Sequence, residues 1–425
     1  MSARFLSKVI FAVVAWALAT GCASRPAAVP TPEQSQVPVE EEKRDIVRRE
    51  AIRRAESDRL RSRQARPAPE RAHAARRTNP NVARSSQYYQ VRVFYATDRR
   101  MEDPEAVGAH GHFGGARNSG DDPLTYGSVF VSVPLNHKVG AIERPSLLKL
   151  EFSEQPSRHM VILRRTLLDA ESFHNQVRES LRRSGRSSSF VFVHGYNVTF
   201  DDAARRTAQI TYDLDFGGAP VFYSWPSQGK LEGYTTDENN VEWSQHNLKR
   251  FLLEYAQKSE AQDIYLIAHS MGNRALTRAL SALFTEHPEM RGRFKEIILT
   301  APDLDAEVFK EQIAPKLVDG CDKITLYVSN SDKALLASKK LHGNYPRVGD
   351  SSDGIRVVGG IETVDASGLD TSFLEHSYFA EIDTVLSDIR KVVRQGLRAA
   401  QRGLHLEKLQ SGERFWRIRE HAQTP

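Results

Sequence analysis

The stretch Asp263-Ile-Tyr-Leu-Ile-Ala-His-Ser-Met-Gly-Asn-Arg-Ala-Leu276 decides how the rest of the chain is read. Residues 264–268 form a short apolar run of the kind that makes a buried strand, and good helix formers follow from Arg274 to Leu283. Between them sits Ala268-His269-Ser270-Met271-Gly272. A serine at such a strand-to-helix corner leaves no space for side chains two positions to either side, so Gly or Ala must stand there. Gly272 meets that demand, and Ala268 meets it with one methyl where the pattern usually has Gly. The corner is expected to present the Ser270 hydroxyl as a nucleophile. It also aims the Met271 N–H and the helix start at an oxyanion formed above it.

Outward from this corner, apolar runs at residues 190–193, 220–223, 264–268 and 296–300 alternate with helical or loop segments, and residues 323–329 and 355–358 complete the series. Residues 91–96, 128–134 and 159–164 read as earlier strands, and residues 168–183 as an amphipathic helix. Strands alternating with helices imply an α/β fold, a mostly parallel central sheet with helices on both faces. With the serine corner, this is the α/β-hydrolase fold. Residues 300–323 are too few for a large cap domain. Residues 227–242 read as a long polar loop, either a cover for the site or plain surface. Residues 378–409 are helical in character, with Ile382, Leu386, Ile389, Val393 and Leu397 on one face.

Serine is a poor nucleophile until a positioned base takes its proton, and in this fold the partners follow in the order Ser, acid, His. Five histidines stand after Ser270, at positions 287, 342, 376, 405 and 421. His376 comes after the last expected strand and before the terminal helix, where the base belongs; His342 is the runner-up. For the acid, Asp332 lies just past the strand at 323–329, placed to hold an imidazole in its productive tautomer. Asp303 and Asp305, after the preceding strand, compete, and Asp303 can instead support the corner or cap the next helix. The second oxyanion donor is expected from His194-Gly195-Tyr196-Asn197, through the Tyr196 N–H, with Asn197 as a fallback. His194 reads as a structural hydrogen-bonder, and Tyr223-Ser-Trp-Pro-Ser227 as pocket lining. No metal, phosphate-loop or dinucleotide motif is present in the sequence, and no cofactor is expected.

The formal charge of +5 is unevenly spread, since residues 23–86 hold 15 Lys/Arg against 9 Asp/Glu and residues 382–425 hold 9 against 5. Residues 87–381 are therefore net negative. The basic segments suit an anionic envelope surface or are simply solvated, and no nucleic-acid module is recognisable. Residues 1–22 resemble a bacterial lipoprotein signal. Arg4 and Lys8 precede an 11-residue apolar run, too short to span a bilayer, and Ala19-Thr20-Gly21-Cys22 follows. Cys22 is the expected acylation site, and Ala23-Ser24 carries no retention signal for the inner membrane. The expected location is the outer membrane, facing the periplasm. Residues 23–86, rich in Pro, Arg, Glu and Ala, read as a disordered or partly helical tether, helical at most over 39–64. Residues 87–385 read as the catalytic domain and 386–425 as a basic helix and tail. Cys321, the only other cysteine, reads as an inert thiol.

Seven segments together resemble a family of bacterial α/β-hydrolases, secreted or lipid-anchored and esterase- or lipase-like, without a defined substrate. They are Phe94-Tyr-Ala-Thr-Asp-Arg99, Tyr126-Gly-Ser-Val-Phe-Val-Ser-Val-Pro134, Val193-His-Gly-Tyr-Asn197, Tyr223-Ser-Trp-Pro-Ser227, Ala268-His-Ser-Met-Gly-Asn-Arg274, Ala301-Pro-Asp303 and His376-Ser-Tyr378. The resemblance implies the fold and a serine-hydrolase site. The expectation is a carboxylesterase acting on a small ester or acyl substrate through Ser270, His376 and Asp332. Two alternatives stand beside it: an envelope-anchored binding protein that keeps the fold without turnover, and a hydrolase of envelope polymers or proteins.

Overall fold

A computed structural model describes residues 79–102, 113–145, 151, 153–368 and 382–419. The signal segment, Cys22, most of the tether and His376 lie outside the described residues. In chain order the first elements are β1 (Val82–Arg84), β2 (Tyr88–Thr97), β3 (Arg99–Met101), β4 (Phe113–Arg117), β5 (Thr125–Pro134), β6 (Ile162–Leu168) and α1 (Ala170–Ser184). The centre contains β7 (Ser188–Val193), α2 (Phe200–Asp213), β8 (Ala219–Ser224), α3 (Tyr234–Lys258), β9 (Asp263–His269), α4 (Gly272–Glu286) and β10 (Glu296–Thr300). Then come α5 (Ala314–Gly320), β11 (Ile324–Val328), α6 (Lys333–Leu341), β12 (Glu362–Asp365), α7 (Ile382–Gln395), β13 (His405–Lys408) and β14 (Arg414–Arg417).

Among the described residues, a twelve-stranded sheet runs in the order β13-β14-β12-β11-β10-β9-β7-β8-β2-β5-β6, with β1 added beside β2. The strands from β2 through β8, β7, β9, β10, β11 and β12 to β14 are parallel, and β5, β6, β1 and β13 are antiparallel to their neighbours. Successive residues of the central strands serve opposite faces. Val191 packs with Phe173 of α1, Phe251 of α3 and Leu280 of α4, whereas Phe190 and Phe192 join Phe200 and Ile210 of α2 and Ile389 of α7. Being covered twice is why these strands read as continuous apolar runs.

The chain winds from β7 to β8 on one side and from there to β9 on the other. The ends of β7 and β9 thus flank a topological switch point, where the carboxyl edge of an open parallel sheet leaves a crevice. His194-Gly195 and Ser270 emerge there.

Four expectations need correction. The described fold already includes residues ahead of the expected domain start at 87: the Asn79 side chain donates to the Phe216 carbonyl at 2.9 Å, Asn81 donates to that of Gly218, and β1 pairs with β2. Residues 355–358 form no strand; β12 comes later, and its Glu362-Thr-Val-Asp365 has too few apolar residues to announce itself. Residues 227–242 are not one long loop, because α3 already begins at Tyr234. The C-terminal helix stops at Gln395, where Gly396 takes φ +64°, and residues 405–408 and 414–417 form a hairpin whose second strand pairs with β12. Gly403 and Gly412, at φ +81° and +90°, turn the chain into and within that hairpin.

Candidate active site

Ser270 sits directly between β9 and α4 with φ +48°, a left-handed conformation that non-glycine residues seldom hold. Its peptide groups are clamped. The Ser270 N–H donates to the Thr300 carbonyl at 3.0 Å, and its carbonyl accepts from the Asn273 side chain at 2.9 Å and the Asp303 N–H at 3.2 Å. Two glycines make the corner possible. A Cβ on Gly272 would lie 2.3 Å from the His194 carbonyl oxygen; one on Gly195 would lie 2.8 Å from His269 Nδ1 and 3.0 Å from Ser270 Cβ. The loop after β7 therefore runs against the serine itself. Ala268 is fully buried at the other flank, so its extra methyl packs into the core.

Tyr196, next in that loop, stacks edge-on against Tyr234 with centroids 5.1 Å apart, and its hydroxyl donates to the Leu231 carbonyl. Asn197 takes φ +58° and directs its N–H to Asp237 at 3.3 Å, which removes its backbone as the fallback oxyanion donor. Beneath the loop, His194 is structural, as the sequence suggests. Its Nδ1 donates to the Gly195 carbonyl at 2.8 Å, Nε2 accepts from Ser224 Oγ at 3.1 Å, and the ring stacks on Trp225 at 5.0 Å. Burial and then the Arg99 charge hold its imidazole well below the ordinary histidine range. Tyr223, Ser224 and Trp225 are fully buried, so this segment supports the loop from below and does not line an open pocket as expected.

The two candidate acids separate cleanly. Asp303 is buried, with Ser338 Oγ at 2.6 Å and Arg347 Nε at 2.8 Å on one oxygen, and Tyr234 OH at 2.8 Å and Arg274 Nη2 at 3.0 Å on the other. Burial pushes its pKa up, but Arg274 and Arg347 outweigh it and the carboxyl stays below the usual range. With its N–H on Ser270, Asp303 supports the corner, the alternative role read for it; capping of the next helix falls to Asp305, whose carboxylate accepts from the Glu307 and Val308 N–H groups, each at 3.0 Å. Asp332 is half-buried past the end of β11 and caps α6, one oxygen accepting from the N–H groups of Ala334 at 2.9 Å and Leu335 at 3.0 Å.

His342, the runner-up base, has both nitrogens committed, to Glu238 at 2.7 Å and the Ser338 carbonyl at 2.7 Å. It belongs to the ion network Glu238–Arg274–Asp303–Arg347 rather than to a proton relay with serine.

Sequence reading missed two arginines. Arg274 bonds to the Asp303 carbonyl at 2.6 Å as well as to its carboxylate. Arg99 is buried and ties β2 to the carboxyl edge, donating to Ser224 Oγ at 2.8 Å, the carbonyls of Gly114 and Ser227 at 2.9 Å each, and that of Val198 at 2.7 Å. Both stand in quoted motifs, but an arginine in a sequence looks like a surface charge until its partners are seen. Cys321 is buried, and burial pushes its thiol up to about 11, as fits an inert position.

Among known proteins, the profile of a family described as alpha/beta hydrolase of unknown function (DUF900) matches residues 169–395, more than half of the chain. The chain belongs to that family. No curated protein matches it. An uncharacterized protein from Bacillus cereus ATCC 10987 is similar over 53% of this chain and 71% of its own, at 15% identity and a TM-score of 0.32. A hormone-sensitive lipase from a metagenome library is similar over 50% and 79%, at 12% identity and a TM-score of 0.30. Lipase B of Aspergillus fumigatus is similar over 42% and 44%, at 11% identity and a TM-score of 0.25.

Proposed function

From its place in the α/β-hydrolase family, we propose that this protein is a serine hydrolase of carboxylic esters. The observation that carries the reading is Ser270 held at φ +48° over the switch point, with Gly195 against its Cβ. A strained residue clamped by three hydrogen bonds costs stability and is kept where its side chain has work to do.

In the proposed reaction, His376 takes the Ser270 proton as the hydroxyl oxygen attacks the ester carbonyl. Asp332 orients the imidazole and stabilises the imidazolium; its carboxylate, fixed at the start of α6, stands two strands away from Ser270 along the sheet. The Met271 and Tyr196 N–H groups hold the oxyanion. Collapse of the tetrahedral adduct passes the proton to the leaving alcohol and leaves an acyl-serine, which water cleaves by the same steps. We also propose acylated Cys22 as the anchor that keeps the domain at the outer membrane, on the periplasmic side; the motif ending at Cys22 supports this.

The test is hydrolysis of p-nitrophenyl esters of graded acyl length by the full chain. Turnover by wild type, reduced at least about a thousandfold in Ser270→Ala with the fold intact, is the expected result. Equal turnover by the two proteins would refute the assignment.

A further inference from the structure

Arg99 is a buried charge to which the reaction proposed above gives no part. It ends the motif Phe94-Tyr-Ala-Thr-Asp-Arg99 and stands two residues past Thr97, whose pairing with Ser224 closes the β2–β8 ladder. Its donors go to the Ser224 hydroxyl and to the carbonyls of Gly114, Ser227 and Val198, and none goes to a carboxylate among the described residues. Burial lowers its pKa to about 10 while Asp98 and Asp237 act the other way, so the guanidinium stays charged at neutral pH. A charge is costly to bury, and an apolar side chain would fill the same space without that cost. A planar fork of N–H donors supplies something an apolar group cannot, a simultaneous hold on several oxygens in fixed directions.

Those oxygens bracket the loop beside Ser270. At its start, Ser224 Oγ accepts from Arg99 Nε at 2.8 Å and donates to His194 Nε2 at 3.1 Å. At its end, the Val198 carbonyl accepts from Arg99 Nη2 at 2.7 Å. Gly195, Tyr196 and Asn197 lie between. A carboxylate works with the guanidinium: Asp237 accepts from Ser227 Oγ at 2.5 Å and from the Asn197 N–H at 3.3 Å. Ser227 joins the two charges, since its carbonyl accepts from Arg99 Nη1 at 2.9 Å and its hydroxyl also accepts from the Val198 N–H at 3.1 Å. Charge-assisted bonds are roughly twice as strong as neutral ones, so the loop is fixed firmly at both ends. It is fixed against the serine, where a Cβ on Gly195 would be 3.0 Å from Ser270 Cβ. A displacement of about 0.5 Å is enough to spoil a donor aimed at an oxyanion.

We propose that Arg99 is a positioning residue for the hydrolysis: by holding His194 through Ser224 and Val198 directly, it sets the Tyr196 N–H where the oxyanion on Ser270 requires it. The proposal rests on the serine-hydrolase reading and adds to it a residue that touches neither the substrate nor the reacting atoms. It accounts for a charged side chain at a place where packing alone would need none.

The test compares the full chain as wild type and as Arg99→Lys, using a p-nitrophenyl ester and the trifluoromethyl ketone of the same acyl chain. Ser270 adds to that ketone, its proton passing to the base, and the hemiketal places an oxyanion where the ester's would form. Lysine keeps the charge, but its compact ammonium cannot serve four separated oxygens. The expected result is kcat per serine labelled by a fluorophosphonate lowered about a hundredfold, KM within about twofold, and ketone affinity lowered in proportion to kcat/KM. A role in folding alone would lower the melting temperature and the number of labelled serines, and leave kcat and ketone affinity of the folded enzyme as they were. Arg402→Lys, at a buried arginine ahead of the C-terminal hairpin, is the control expected to behave in that way. Should Arg99→Lys fail to fold, Ser224→Ala leaves Arg99 in place, removes its link to His194, and is expected to lower kcat and ketone affinity together by about tenfold. Wild-type turnover with kcat kept in Arg99→Lys, or lost there without loss of ketone affinity, overturns the proposal and leaves the serine-hydrolase reading standing. A wild type that neither turns over the ester nor binds the ketone overturns that reading, and the proposal with it.

Discussion

Holding Ser270 in the left-handed region costs on the order of 1–3 kcal/mol, and the bonds it accepts from Asn273 and Asp303 and donates to the Thr300 carbonyl offset that cost. The residues around it divide by what their removal does. Asp303→Asn strips the charge that balances Arg274 and Arg347 in a buried setting, and is expected to destabilise the fold by about 3–5 kcal/mol, read as a lowered melting temperature. Asp332→Asn keeps a good helix cap and is expected to melt within about 1 kcal/mol of wild type while kcat falls at least about a hundredfold. An equal activity loss in both, with equal melting, would contradict the division of roles. Gly272→Ala drives a methyl into the His194 carbonyl and is expected to cost about 2–3 kcal/mol in chemical denaturation. The serine and its glycine were legible in the sequence because the corner admits so few side chains. The role of Asp303 was legible only as an alternative to that of the acid, because its neighbours Arg274, Tyr234, Ser338 and Arg347 come from widely separated segments.

Among the elements, the central strands were readable and the edges were not, for one reason. β7, β9 and β10 are covered on both faces and carry unbroken apolar runs at residues 190–193, 264–268 and 297–299, whereas β13 and β14 lie at an edge and are mostly polar. The C-terminal hairpin is held by charge as much as by its strand pairing. Arg417 reaches Asp365 at 2.9 Å, and the fully buried Arg402 lies 3.5 Å from Asp388 and 3.7 Å from Glu362. Truncation after Gln395 is expected to leave these carboxylates unpaired and β12 bare. The check is soluble yield and the sharpness of thermal unfolding, both expected to fall. A second device pins the segment after β5 to α2. His137 lies buried between Glu143 at 2.9 Å and Asp213 at 3.0 Å, with Arg206 and Tyr212 packed nearby. Burial acts to lower its pKa, but Asp213 and Glu143 outweigh that and raise it to about 9. The folded state thus binds the proton more tightly than the unfolded chain. This contribution is fully present below about pH 6.5 and is lost as pH rises through about 9. Melting temperature is expected to fall over that window in wild type and to fall less in His137→Gln.

At the scale of the whole molecule, the switch point between β7 and β9 joins fold and chemistry. It opens a crevice at the carboxyl edge, puts the serine corner on one side of it and the Gly195 loop on the other, and leaves the amino edge to Asn79 and Asn81. That layout followed from the alternation of apolar runs and from one five-residue corner, so the fold was legible early. The proposed base, His376, rests only on its place along the chain, since it lies outside the described residues. Whether the serine is activated is best asked with a fluorophosphonate probe on the full chain, beside Ser270→Ala and His376→Ala. The expected result is stoichiometric labelling of wild type that maps to Ser270 and is abolished in both variants while they remain folded. A folded wild type that takes no label, or takes it elsewhere, would contradict the serine-hydrolase reading.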